Sequence, residues 1–146
     1  MSSKSPGDGA RAWRALFELL QSQKPWLAER LAAFDLTINL GHALHVLAEN
    51  GETTMSAFAA AMFVDASNAT GLVDRLVRRG LVERKASEQD RRAKVVRLTA
   101  AGKRLDRRVE ALMCSEAPPP LARLSAHDQR ALSELLERAV ALAAED

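Results

Sequence analysis

The chain has 146 residues, of which 47% are hydrophobic and 27% charged, a balance that fits one globular domain. Its longest apolar stretches, such as residues 57–64, are far shorter than the roughly 20 residues that a membrane span requires. No signal sequence opens the chain, so we expect a cytoplasmic protein without a membrane partner. The single cysteine, Cys114, excludes an intramolecular disulfide and a cysteine-cluster metal site. We expect a packed core and no cofactor.

The net charge of +2 conceals an asymmetry along the chain. Residues 67–104 carry 11 basic and 4 acidic side chains, a balance of +7, whereas residues 1–66 and 105–146 have balances of −2 and −3. A local basic surface on a nearly neutral protein most often meets a phosphate backbone, although a solvated basic face is the alternative.

The N-terminal third predicts helices. Residues 1–9 are small and polar, and we expect them to form a disordered lead. From Ala10, apolar residues recur at the spacing of an amphipathic helix, which Pro25 is expected to kink or break. Thr37 can cap a second helix that runs to about Glu49.

Two further helices follow, separated by a four-residue turn. Thr53, Thr54 and Ser56 supply cap chemistry for a short helix with small interior side chains. Asp65 can cap a longer helix, for which Gly80 is a suitable C-terminal stop. The pattern predicts a helix-turn-helix.

A β-hairpin is predicted directly after this pair of helices. The apolar period changes to two in residues 81–84 and 93–98, and the charged residues 85–92 connect the two runs. A helix-turn-helix followed by a hairpin is the order of a winged-helix DNA-binding domain.

The C-terminal part predicts two more amphipathic helices. Thr99 can cap the first, the prolines at 118–120 end it, and Ser125 with Asp128 three residues later begins the last. The helices at both ends carry apolar stripes that must be buried. Packing them across a two-fold axis would form a homodimer, whereas end helices that cover the back of the hairpin would give a monomer.

Three segments of the sequence resemble those of a known family. They are TMSAFAAAM (54–62), DASNATGLVDRLVRRGLVER (65–84) and DRRAKVVRLTAAG (90–102). At this spacing they resemble the signature of the MarR family of bacterial transcriptional regulators, and the resemblance covers about residues 36–104. It implies a homodimer that binds pseudo-palindromic operators on double-stranded DNA and often releases them when a small ligand binds.

The resemblance also defines the expected architecture, which is mainly α-helical with a small β-hairpin wing. The two ends of the chain match only as helices at the positions where this family carries its dimerisation helices. We therefore expect an N-terminal dimerisation helix over residues 10–35, a winged helix-turn-helix DNA-binding domain over 36–104 and C-terminal dimerisation helices over 105–146.

The first turn of the expected recognition helix carries short polar side chains. Ser67, Asn68 and Thr70 can touch base edges there, while the free N–H groups of the helix N-terminus face phosphate. The alternative is helix capping and local backbone bonding. The resemblance favours the contacts with DNA.

Basic residues further along are placed to meet the DNA backbone. Arg75, Arg84 and Lys85 are expected to contact phosphates. At the hairpin tip, Arg91 and Arg92 follow Asp90, in a motif that resembles the family's wing. The resemblance implies that Asp90 braces an arginine that enters the minor groove, and Arg92 matches that arginine best. An ordinary surface ion pair is the alternative.

A ligand pocket is a weaker expectation. The resemblance implies a pocket between the dimerisation and DNA-binding parts, where a small aromatic or phenolic effector could bind. The alternative is that its candidate residues belong to the core, and the prolines at 25 and 118–120 put the pocket in doubt. The candidates are Trp26, Phe34, His42, His45 and Phe63.

Two sensing alternatives remain open. His42, His45 and Glu49 share a helical face and could bind a metal, although surface or interface roles are far commoner for such residues. Cys114 could sense oxidants, but Glu110 and Glu116 nearby disfavour its thiolate.

The sequence argues against an enzyme, since it shows no nucleophile with a placed base and no phosphate-binding glycine loop. We expect a transcriptional regulator that acts as a repressor and has no catalytic or metal site. The competing class is an architectural or protein-interaction winged helix without operator specificity.

Overall fold

The computed structural model describes residues 7–145, so most of the predicted disordered lead over residues 1–9 lies outside the described residues. Within that range the chain forms eight helices and a three-stranded antiparallel sheet, which confirms the predicted fold class. The chain divides into two compact units, one that ends at Leu112 and one that begins at Met113. The elements are α1 (Asp8–Ser22), α2 (Lys24–Ala32), α3 (Ile38–Asn50), β1 (Thr53–Thr54), α4 (Met55–Met62), α5 (Ala66–Arg78), β2 (Val82–Ala86), β3 (Lys94–Leu98), α6 (Ala100–Ser115), α7 (Pro119–Ala122) and α8 (Ala126–Ala143).

The N-terminal helix begins at Asp8, so the last two residues of the predicted disordered lead are helical. The predicted break at Pro25 is confirmed. Gln23 separates α1 from α2, and Pro25 lies in the first turn of α2, where its missing N–H needs no partner.

The helix caps follow the local sequence. Thr37, Thr54, Asp65 and Ser125 precede α3, α4, α5 and α8, and each side chain accepts the backbone N–H three residues ahead at 2.8–3.2 Å. Each cap satisfies a donor that the first helical turn leaves unpaired. These four residues were all among the predicted caps, and of the three candidates for α4 it is Thr54, and not Thr53 or Ser56, that caps the helix.

The core of the first unit joins α3, α4, α5 and the sheet. Apolar side chains at the inward positions of these elements are fully buried, and dense packing fixes the orientation of α5 relative to the sheet. The largest of them are Phe58, Leu44, Leu47, Leu76, Val73 and Val96.

The sheet has the order β1-β3-β2. The predicted hairpin is confirmed: β2 and β3 pair from Val82 with Leu98 to Ala86 with Lys94. The two-residue strand β1 was not predicted. Its Thr54 pairs with Val95 and also caps α4, so strand and helix meet at one residue.

A close approach attaches the start of α6 to the hairpin. The Thr99 hydroxyl donates to the Gly80 carbonyl at 2.6 Å and accepts the Gly102 N–H at 3.1 Å. A Cβ at Gly102 would lie 2.1 Å from the carbonyl oxygen of Leu81. Only glycine therefore allows this contact.

The second unit contains the end of α6, the short α7 and α8. Helix α6 ends at Ser115, before the three prolines, as predicted. The single turn of α7 was not predicted. It begins at Pro119, and proline is favoured in the first turn of a helix.

Large apolar side chains remain exposed on the terminal helices. On α1 these are Trp13 (68% exposed), Phe17 and Leu20, and on α8 they include Leu135 and Val140 (71%). Among the described residues, no helix combines the length and apolarity needed to cross a membrane.

Candidate nucleic-acid interface

Helix α5 has one buried and one open face. Ala69, Leu72, Val73 and Leu76 pack into the core, whereas the opposite side is exposed to solvent. A cleft of about 480 Å³ follows this helix beside the start of α3. Its lining includes Thr37, Asn39, Ser67, Asn68, Gly71 and Arg75.

The three predicted base-contacting residues all lie on exposed parts of α5, but two of them have local partners. Asn68 donates from its side-chain amide to Asp65 at 2.9 Å, in addition to the cap bond of its backbone. The Thr70 hydroxyl donates to the carbonyl of Ala66 at 2.9 Å. Local bonding is thus present for Asn68 and Thr70 in the free protein, and contact with bases stays a prediction.

The arginines near the end of α5 differ in their surroundings. Arg75 and Arg78 are exposed, and within residues 7–145 neither forms an ion pair. Arg79 instead donates to the carbonyls of Asp35 at 2.7 Å and Phe34 at 2.9 Å. It therefore ties the end of α5 to the turn between α2 and α3, where Asp35 has a left-handed backbone with φ 53°.

Ion pairs stabilise the base of the wing, which is formed by strands β2 and β3. Arg84 donates to Asp74 at 2.6 Å, which joins β2 to α5. Lys85 lies 3.0 Å from both Glu52 and Glu88. The hydrogen bond to Glu88 raises the pKa of Lys85 above its ordinary value, and the bond to Glu52 adds a smaller rise. The predicted phosphate contacts Arg84 and Lys85 therefore have acidic partners within the protein.

A further pair crosses the hairpin. Arg97 donates to Glu83 at 2.6 Å and lies 3.6 Å from Glu52. The bond to Glu83 raises the pKa of Arg97. Sequence reasoning missed this pair, although Glu83 and Arg97 are opposite one another in the antiparallel register, where opposite charges attract.

The tip of the wing is organised by its backbone. The Asp90 carboxylate accepts the backbone N–H of Arg92 at 3.0 Å, and the Ser87 hydroxyl accepts those of Gln89 and Asp90. Asp90 thus braces the backbone of Arg92 rather than its guanidinium. In the part of the chain that the structure describes, the exposed side chains of Arg91 and Arg92 have no acidic partner.

The five candidate ligand residues have separate surroundings. Trp26 and Phe34 are half-buried, with the guanidinium of Arg30 stacked 4.1 Å from the centroid of Trp26 and that of Arg108 5.2 Å from the centroid of Phe34. His42 and His45 are exposed, and Phe63 is 94% exposed. Phe34 packs against the core, as the alternative reading expected.

The sensing candidates are also on the surface. His45 lies with its Nδ1 atom 3.6 Å from a carboxylate oxygen of the buried Asp106. Among residues 7–145, no group of three or more His, Cys, Asp or Glu side chains is arranged to hold a metal ion. Cys114 is a free, exposed thiol near the end of α6.

The comparisons with known proteins agree with this geometry. A model of the MarR family matches residues 34–93, which contain the helix-turn-helix, strand β2 and the tip of the wing and end before strand β3. Wild-type MarR from E. coli in its apo form has the same fold, with a TM-score of 0.80 and 24% identity over 94% of this chain and 98% of that chain.

Two curated relatives match this chain in part. YfiV of Bacillus subtilis (strain 168), an uncharacterized HTH-type transcriptional regulator, is 40% identical over 73 residues, which are 50% of this chain and 46% of YfiV. A putative transcriptional regulatory protein for the hcr operon of Thauera aromatica is 34% identical over 103 residues, 70% of this chain and 62% of that protein. The matches thus span about half to three-fifths of these relatives. Over its helix-turn-helix and the first part of its wing, this chain is thus similar to the MarR family, and its fold is that of MarR.

Proposed function

We propose that this protein is a DNA-binding transcriptional regulator that recognises a pseudo-palindromic operator. Helix α5 enters the major groove with its open face, and the tip of the wing reaches the neighbouring minor groove. Both curated relatives are named as transcriptional regulators, which supports this proposal. The chemistry of the two surfaces supports it independently.

The observation that carries the proposal is the distribution of paired and unpaired cations on the wing. At its base, Arg84, Lys85 and Arg97 are bound to carboxylates of the same unit. At its tip, Arg91 and Arg92 are exposed on a braced turn without an acidic partner among the described residues. Such a tip suits the negative potential of a minor groove, while the base keeps the wing in a fixed orientation.

Contacts along α5 complete the proposed interface. Ser67 is exposed in the first turn and has no hydrogen bond of its side chain within residues 7–145. Arg75 lines the same cleft and is placed to meet phosphate. Asn68 and Thr70 would exchange their local bonds for contacts with DNA.

The terminal helices favour a homodimer. Apolar faces on α1 and α8 are exposed in the single chain, at positions such as Trp13, Phe17, Leu135 and Val140. Burial of these faces between two copies would stabilise a two-fold assembly, whose two α5 helices could then meet successive major grooves. Light scattering should give twice the chain mass of 15.9 kDa, and a mass of one chain would contradict the homodimer.

Selection of bound duplexes from a random pool tests operator recognition directly. We expect one enriched inverted repeat, whereas an architectural winged helix would retain the pool without enrichment. The affinity for the selected duplex should fall with salt at a log-log slope near −7 if about 8 phosphates are contacted. A flat salt response would reject contacts with the DNA backbone.

Repression, and release by a small aromatic or phenolic ligand, stay predictions. A transcription assay with the selected operator upstream of a reporter would distinguish a repressor from an activator. Titration of phenolic compounds into the complex, followed by fluorescence anisotropy, tests release.

A further inference from the structure

Phe63 lies in the turn between α4 and α5 and is almost fully exposed. Its exposure of 94% exceeds that of the other large apolar side chains that the structure describes as exposed, the next being Val140 at 71%. A single exposed apolar residue is common on protein surfaces. The backbone of Phe63 shows that more than chance exposure is involved.

The backbone of Phe63 is left-handed, with φ 53° and ψ 41°. Its N–H donates to the carbonyl of Ala60 at 3.1 Å, and the N–H of Val64 donates to that of Ala59 at 3.1 Å. These two bonds form a Schellman motif, whose left-handed position is usually glycine. A bulky side chain at this φ is unfavourable because its Cβ approaches the backbone.

The fold itself therefore gives no reason for a phenylalanine at this position. Glycine would close the same turn without strain, and the aromatic ring contributes little burial to the core. Strain at a residue whose side chain stays in solvent indicates a role outside the folded monomer.

The position of the turn identifies the partner. Val64, the next residue, lines the cleft along α5 together with Ser67 and Asn68 in the first turn of that helix. Phe63 is thus next to the end of α5 that enters the major groove under the proposed function. On base edges in that groove, the C5-methyl of thymine is the apolar group available to an aromatic ring.

We propose that Phe63 is a specificity-determining residue, which packs against a thymine methyl group in each half of the operator. This inference rests on the proposed function, because it requires α5 to enter the major groove. It assigns to the turn an apolar contact with thymine, in addition to the contacts proposed for the polar residues of α5 and the arginines of the wing tip.

The test uses the full-length protein and the duplex selected by the wild type. Each thymine is replaced in turn by deoxyuridine, which removes only the methyl group. The wild type, Phe63→Gly and the conservative Phe63→Leu are titrated on every duplex, and thermal unfolding of all three proteins is recorded. We expect Phe63→Gly to unfold at the same or a higher temperature, because glycine adopts a positive φ without strain.

The expected outcome has two parts. At one symmetric thymine position, the wild type binds the duplex with uracil more weakly than the duplex with thymine. Phe63→Gly binds the thymine duplex about tenfold more weakly than the wild type does, which corresponds to about 1.4 kcal/mol. Replacement of that thymine by uracil causes no further loss of affinity in Phe63→Gly. Phe63→Leu retains most of the preference for thymine because it keeps apolar methyl groups.

Other outcomes have distinct meanings. Equal thymine preference in the wild type and Phe63→Gly would overturn the inference while leaving operator binding intact. If Phe63→Gly forms a different oligomer from the wild type in solution, the ring contacts protein rather than thymine, and the inference is also overturned. If the wild type selects no duplex at all, the proposed function fails before this inference is reached.

Discussion

Two glycines in the helices of the first unit occupy opposite environments. A Cβ at Gly102 would collide with the backbone of Leu81 at 2.1 Å, whereas a Cβ at Gly71, in the middle of α5, would meet nothing within 4 Å. Glycine inside a helix is unfavourable at both positions. Close packing against Leu81 explains the glycine at 102, whereas nothing in the packing of the domain explains the glycine at 71. Gly102 thus belongs to a surface buried within the fold, and Gly71 to the open face of α5 that is available to a partner.

The charged residues of the wing repeat this contrast. The cations of its base are neutralised by Glu52, Asp74 and Glu83, and those of its tip are exposed on the turn that Asp90 braces. Residues with internal partners should therefore affect stability when they are replaced, and residues on the open face should affect binding.

The largest effect is expected for Gly102→Ala. The added methyl group must displace the backbone where α6 begins against the hairpin, so we expect a loss of about 3 kcal/mol or more in the free energy of unfolding. Urea denaturation measures it. The matched control is Gly9→Ala in α1, where a Cβ meets nothing within 4 Å. Equal stability of the two variants would remove the steric argument.

The wing gives the next contrast. Arg92→Ala should weaken operator binding by about 1 to 3 kcal/mol and leave the unfolding temperature unchanged, because its guanidinium has no acidic partner within residues 7–145. Gel-shift titration measures the affinity. Arg84→Ala serves as the control: it breaks the bond to Asp74 and should lower stability more than it lowers affinity. The reverse ranking would assign DNA contact to the base of the wing.

Local chemistry made the helix starts predictable. Thr37, Thr54 and Asp65 cap their helices through atoms only three residues away, so the sequence contains both partners of each bond. The strand β1 escaped prediction because its two residues have no pattern of their own and are defined by their pairing with β3.

The candidate site was less predictable than the fold. Arg84 and Lys85 were predicted to contact phosphates from their charge and their place at the start of the hairpin. Their pairs with Asp74 and Glu52 join positions distant in the sequence, so the pattern did not show these partners. Phe63 was placed among possible pocket residues because the family resemblance implied a pocket near it, yet its side chain at the end of α4 is 94% exposed. Tertiary geometry decides such cases.

Gly71→Ala tests the open face of α5 itself. We expect the free protein to gain about 0.5 to 1 kcal/mol in stability, since alanine is the better helix former and its methyl group meets open space. If α5 packs closely in the major groove, the same methyl group should weaken operator binding about tenfold. Opposite signs for stability and affinity are thus expected. A gain in both would show that the backbone of α5 does not approach DNA closely at this point.

The smallest effect is expected for Asp106, whose carboxylate is buried and therefore belongs with the residues that affect stability. Burial raises the pKa of Asp106 most strongly, and nearby Glu110 and Glu49 add to this rise, while His45 opposes it. The folded state therefore holds this proton more tightly than the unfolded state. As a result, stability falls as the pH rises from the ordinary pKa of an aspartate to the raised value of Asp106.

Asp106→Asn removes this pH dependence. We expect the variant to resemble the wild type below that pH window and to exceed its stability above it by less than about 1 kcal/mol, because solvent near the exposed His45 screens the charge. Urea denaturation between pH 3 and pH 8 measures the difference. His45→Gln is the control, since removal of the favourable imidazole should enlarge the loss of stability with rising pH. If instead Asp106→Asn is destabilising at neutral pH, the attraction to His45 outweighs the cost of burial, and the ionised carboxylate contributes to folding.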